Sequence, residues 1–224
     1  MLVVVVAQTI SGDFACKEGY SNVVSEKMVV NAATKKQTKA TYNKKAKKAY
    51  RKFLKDVFVN GKYHNGWGKN VTQREYAITD LNNDGKLELI LNTSPFYGTS
   101  KGCVVYTYYQ GQVKEAGYAY NWEDYCYGFK KGNLIYNYLE GKAIDEKYSK
   151  LKNGKLVTVA RHYTDEPWGG TQNFYEIKGK KVTKKKFVAF LKKRIGYKSE
   201  DDFIKNIDNY RKSYKVKEYK KPKK

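Results

Sequence analysis

Asp80, Asn82, Asp84 and Glu88 stand at positions 1, 3, 5 and 9 of a nine-residue stretch whose sixth residue is Gly85. Alternating oxygen-bearing side chains in a coiled loop can be aimed at one point. Gly85 supplies a backbone conformation that a side chain would resist. Lys86 can add its main-chain carbonyl, its ammonium pointing outward. Such a focus of carboxylate, amide and carbonyl oxygens suits a hard cation that takes six to eight oxygen ligands, calcium above all. An Asn-Asp-Gly turn that binds nothing is the competing reading, but a bare turn has no need of Asp80 and Glu88 at those offsets.

The flanks decide which kind of loop this is. In a helical EF-hand the twelfth position is a bidentate glutamate, and here it is Leu91. Tyr76, Ile78, Leu87, Leu89 and Leu91 alternate with polar neighbours, so the loop is expected between two strands. This D-x-N-x-D-G-x-x-E pattern, from Glu75 to Asn92, resembles the calcium loops of FG-GAP and VCBS repeats. It also resembles single-copy versions in small proteins secreted by Gram-positive bacteria. The resemblance implies calcium held by Asp80, Asn82, Asp84, Glu88 and the Lys86 carbonyl. Propellers of those families repeat the motif and this chain carries one copy, so a complete propeller is not expected. Long-range repulsion from a formal net charge of +23 weakens cation capture. A dissociation constant of about 0.1–1 mM, in the range of extracellular modules, is expected.

Of 45 basic residues 40 are lysine and five arginine, which favours flexible point charge over the planar forks that read bases. Adhesion to polyanions is expected, with anionic cell-wall polymer, carbohydrate or protein as partner and no specific nucleic acid. No run of about twenty apolar residues exists, which excludes a membrane-spanning helix of the usual kind.

Cys16, Cys103 and Cys126 lack the clustering of a zinc or redox site. Cys103 and Cys126 are either a disulfide or two buried thiols. The first 35 residues are expected to lie outside the folded domain as a leader or disordered segment. The apolar run at residues 2–7 is short and lacks preceding positive charge, so a signal sequence there is imperfect. Residues 36–215 are expected to form one domain, and 216–224 a basic disordered tail. The setting expected is extracellular or cell-surface.

Apolar residues at helical spacing predict a helix over residues 42–59, capped by Thr41 and stopped at Asn60-Gly61. Beyond the acidic loop, strand-like runs are separated by Gly111, Gly132, Gly154 and Gly179, the pattern of an antiparallel meander. Thr183 is expected to start a helix that Gly196 ends. Ser199 is expected to cap a last helix with Phe203, Ile207, Tyr210 and Tyr214 on one stripe. The fold class is therefore α+β, an N-terminal helix, the loop hairpin, a β-meander and two C-terminal helices.

An enzyme needs placed acids, bases or nucleophiles, and the chain has two histidines and none of the common hydrolase motifs. His64 reads as a loop residue. His162 precedes a turn containing Asp165 and Trp168, and these three are the candidate pocket of a cell-wall or polysaccharide hydrolase. The alternating tyrosines Tyr106/Tyr108 and Tyr136/Tyr138 suit either half-buried packing or a stacking face for sugars. The balance favours a calcium-binding interaction module over a catalyst, with a nonspecific nucleic-acid binder as a further alternative.

Overall fold

The structure, a computed structural model, describes residues 38–59, 75–93, 101–121, 127–140, 143–164, 172–212 and 214–220. It is a mixed α+β protein, and the described residues form four helices and antiparallel strands in two sheets. The first helix, α1, runs over Lys39–Phe58. The first sheet holds β1 (Glu75–Thr79), β2 (Glu88–Thr93), β3 (Lys101–Tyr109), β4 (Gln112–Asn121) and the short C-terminal β12 (Lys217–Glu218), in the order β12-β1-β2-β3-β4. The second holds β5 (Tyr127–Phe129), β6 (Ile135–Glu140), β7 (Ile144–Lys152), β8 (Lys155–Thr164), β9 (Asn173–Ile177), β10 (Lys180–Val182) and β11 (Arg211–Lys212), in the order β10-β9-β8-β7-β6-β5-β11. Helices α2 (Lys184–Ile195), α3 (Glu200–Lys205) and α4 (Ile207–Tyr210) lie between β10 and β11 in the chain.

Period-two alternation lets each sheet bury both faces. On one side of the first sheet, Leu89, Leu91, Val104 and Tyr106 pack under Ala46, Tyr50, Leu54 and Val57 of α1. On its other side, Ala77, Ile90, Cys103 and Val105 meet Ile135, Leu151 and Leu156 of the second sheet. The far face of that sheet packs Phe129, Tyr136 and Tyr148 on Phe187, Leu191 and Ile195 of α2. The layers are thus helix, sheet, sheet, helices.

Several expectations change. The cap of α1 is Thr38, whose Oγ1 accepts from Thr41 N at 3.2 Å, so Thr41 lies inside the helix. The helix closes at Val59, and Asn60-Gly61 lies outside the described residues. The expected meander divides, β3 and β4 joining the loop hairpin and the later strands forming their own sheet. The last helix breaks at Asn206, where backbone torsions of −127° and 28° leave the helical region and the side-chain amide donates to Asp202 Oδ1. Phe203, Ile207 and Tyr210 still pack on the second sheet's core, whereas Tyr214 turns to the cluster between the sheets. The tail expected to be disordered from Val216 contributes β12, paired with Glu75 and Tyr76 of β1. Tyr219 beyond it packs on Phe58 and Tyr76. The expected leader lies outside the described residues.

Candidate cation loop and its surroundings

The loop is the connection of the β1–β2 hairpin, whose register pairs Thr79 with Glu88. Asn83 (φ 59°) and Gly85 (φ 86°) take left-handed conformations, which turn the chain tightly enough to bring both ends of the motif together. Backbone N–H groups then aim the acidic side chains. Asp84 N donates to Asp80 Oδ1 at 3.0 Å and Gly85 N to Asp80 Oδ2 at 3.0 Å. Asp84 N also donates to Asn82 Oδ1 at 3.2 Å, and Lys86 N to Asp84 Oδ1 at 2.8 Å. From the far end, Glu88 Oε2 accepts from Leu81 N at 2.8 Å, so its carboxylate folds back beneath the start of the loop.

Glu88 is 1% exposed and Asn82 2% exposed. Burial pushes the Glu88 carboxyl up to about 9, the Leu81 N–H opposing and the neighbouring Asp84 and Asp80 reinforcing it. A carboxylate there calls for a counter-charge, either a proton or a cation. Among the described residues, no three His, Cys, Asp or Glu side chains are gathered closely enough to hold an ion by themselves. The donor set expected from the sequence is mixed, adding the Asn82 amide and the Lys86 carbonyl to the carboxylates, and a carboxylate oxygen that accepts an N–H retains lone pairs for a metal. On those grounds the residues fit an oxygen-seeking cation.

Residues that the sequence did not single out hold the loop in place. Asn43 of α1 brackets its exit, donating from Nδ2 to Gly85 O and accepting from Leu87 N, both at 3.0 Å. Tyr50 donates to Leu87 O at 2.8 Å. An asparagine on the apolar face of a helix is the one local hint of this clamp. Lys212 of β11 places its Nζ 2.8 Å from Asn83 Oδ1 and 3.2 Å from Asp80 Oδ2. Asn83 Nδ2 donates to Lys130 O at 2.6 Å. Gly128 of β5 lies so close to the loop that a Cβ there would sit 1.6 Å from Leu81 O. The Lys86 ammonium lies 5.4 Å from the centre of the Tyr42 ring.

The second candidate region is only partly described, since Asp165 and Trp168 lie outside the described residues. His162 Nδ1 is 2.5 Å from Glu146 Oε2, and Tyr136 OH donates to the other Glu146 oxygen at 2.6 Å. His162 Nε2 is 2.8 Å from Asn173 Oδ1 and 3.3 Å from Thr164 Oγ1, and its ring stacks on Tyr175 at 4.7 Å. Burial disfavours the imidazolium, but the hydrogen bonds to Glu146 and Asn173 prevail and raise the pKa. Oxygens of Glu146 and Asn173 face the two ring nitrogens, so the ring is engaged on both sides as a brace across β7, β8 and β9. On the sheet's other face, Arg161, Tyr163, Phe174, Glu176 and Lys181 line a shallow recess of about 240 Å³.

Tyr106 and Tyr136 are packing residues, 4% and 7% exposed, Tyr106 against Phe53 of α1 and Tyr136 against Tyr127 and Tyr148. Cys103 is buried in β3, and its suggested partner Cys126 lies outside the described residues. No described helix is long and apolar enough to cross a membrane. Comparison of the chain with protein-family models, with curated proteins and with solved structures finds no match.

Proposed function

We propose that this protein is a secreted or surface-associated interaction module in which calcium pins the β1–β2 hairpin. The observation that carries the reading is the Glu88 carboxylate, 1% exposed and folded back under the loop against Leu81 N. Asp80, Asn82 and Asp84 would supply the other side-chain oxygens and Lys86 its carbonyl. Bound calcium would contribute a fixed double positive charge that replaces a proton on the buried carboxyl. The resemblance to FG-GAP and VCBS loops supports the same donors, including the ninth-position glutamate. An affinity near 0.1–1 mM suits a structural clip outside the cell, where calcium is abundant. Interaction with an anionic polymer or protein is favoured over hydrolysis because His162 has acceptors at both ring nitrogens.

Calorimetric titration of the full chain with calcium tests this. Saturable heat with a dissociation constant of about 0.1–1 mM is expected, and Asp84→Ala should remove it. Equal heats from both proteins would sink the metal reading.

A further inference from the structure

Helix α1 buries one face on the first sheet and presents seven cations on the other, Lys44, Lys45, Lys47, Lys48, Arg51, Lys52 and Lys55, all exposed. At 100° per residue they fall within an arc of about 160°, over a length of about 16 Å. Lys44–Lys48, Lys47–Arg51, Lys48–Lys52 and Arg51–Lys55 are like-charge pairs four residues apart, the spacing at which helix side chains meet and repel. The helix's one acid, Asp56, comes after the last of these cations. A face made for solubility alone would alternate signs and gain from i,i+4 attraction. Helix α2 is equally lysine-rich and shows the contrast. Its cations fall in two end clusters without a like-charge i,i+4 pair, and Lys192, Lys193 and Arg194 complement the dipole at its C-terminal turn.

From this we infer that the outer face of α1 is a docking ridge for a flexible linear polyanion, recognised by charge alone. The ridge is one helix wide, which suits a chain laid along it. No large apolar side chain is exposed along the arc between Lys44 and Lys55, so nothing there would anchor the helix in a lipid layer. Six of the seven cations are lysines, mobile point charges that accommodate an irregular row of anions without fixed geometry. A bound polyanion would relieve the repulsion within the helix and release its own counterions to solution. The inference gives the interaction reading a surface and a partner class, and it does not depend on calcium.

The full chain and two variants, Lys44/Lys47/Lys48/Arg51→Gln on α1 and Lys185/Lys186/Lys192/Lys193→Gln on α2, remove equal charge from exposed positions. Binding to long-chain inorganic polyphosphate is measured in chelator across a salt series. The α1 variant should bind at least about tenfold more weakly and lose about three units of the log–log salt slope, at roughly 0.7 per lost contact. The α2 variant should remain near the parent. The α1 variant should also melt no lower than the parent, so lost binding is not lost folding. Equal weakening by both variants would overturn the ridge in favour of diffuse charge. Tighter binding to phosphatidylglycerol vesicles, or to a single-stranded oligonucleotide of matched charge, would overturn the choice of partner. Calcium calorimetry on the α1 variant separates the two readings, since intact calcium heats beside unchanged polyphosphate binding would reject the ridge alone.

Discussion

Burial and charge at single side chains set most of what this molecule can do. Glu88 is the leading case, because a nearly inaccessible carboxyl beside two aspartates tolerates charge only with a cation close by. The sequence singles it out because every proposed donor lies within nine consecutive residues. Asn43, Gly128 and Lys212 were not legible, since their contacts with the loop span 42 residues or more. His162 gives a test of its own. Its pKa is raised in the folded state, so its stabilising contribution is complete below the unfolded value of about 6.5 and is lost as pH rises through the higher folded value. The groups that face it are Glu146, Asn173, Thr164, Tyr175 and Lys184. Melting temperature should therefore fall more steeply from neutral to mildly alkaline pH in the parent than in His162→Gln. Parallel profiles would show that the His162–Glu146 pair carries no pH-linked stability.

Strand and helix periods were readable, and so were the turns. Gln110-Gly111, Asn153-Gly154 and Lys178-Gly179 each place two successive residues at positive φ, as two-residue hairpins require. What the local pattern does not carry is which sheet a strand joins. A hairpin turn looks the same whether its strands continue one sheet or begin another, so the division between β4 and β5 depends on contacts distant in sequence. The helix starts show a smaller ambiguity of the same kind. Thr38 and Thr41 are three residues apart and either can cap, but only the Thr38 hydroxyl reaches the free N–H of Thr41. Thr38→Ala should cost about 1 kcal/mol in urea unfolding. Thr41→Ala, which leaves that backbone bond in place, should cost clearly less. The reverse order would return the start of α1 to Thr41.

Across the whole molecule, the loop is where the first sheet meets β5 and β11 of the second. Leu81 O lies over Gly128, Asn83 reaches Lys130 O, and Lys212 reaches back to Asn83 and Asp80. A cation held by the proposed mixed donor set of the loop would keep those contacts in register, so calcium should act across the junction of the sheets as well as within one hairpin. Ligand binding alone raises global stability by mass action, about 1.4 kcal/mol at ten times the dissociation constant, and protects every amide that exchanges by global unfolding. Local coupling has a different signature. Calcium should slow hydrogen exchange at Tyr127–Phe129 and Arg211–Lys212 by more than that global increment, and leave Lys180–Val182 at the opposite edge with the increment or less. Gly128→Ala sharpens the test. Its methyl group would overlap a backbone oxygen, which overpacks the junction at a cost of about 3 kcal/mol or more. By comparison, Gly111→Ala has open space around the new methyl and pays chiefly for its positive φ, about 1–2 kcal/mol. With the junction forced apart, Gly128→Ala should still give calcium heats from the loop but no extra protection at β5 and β11. Uniform protection in the parent, or protection at β5 that survives the substitution, would mean that the ion steadies its own hairpin without joining the sheets.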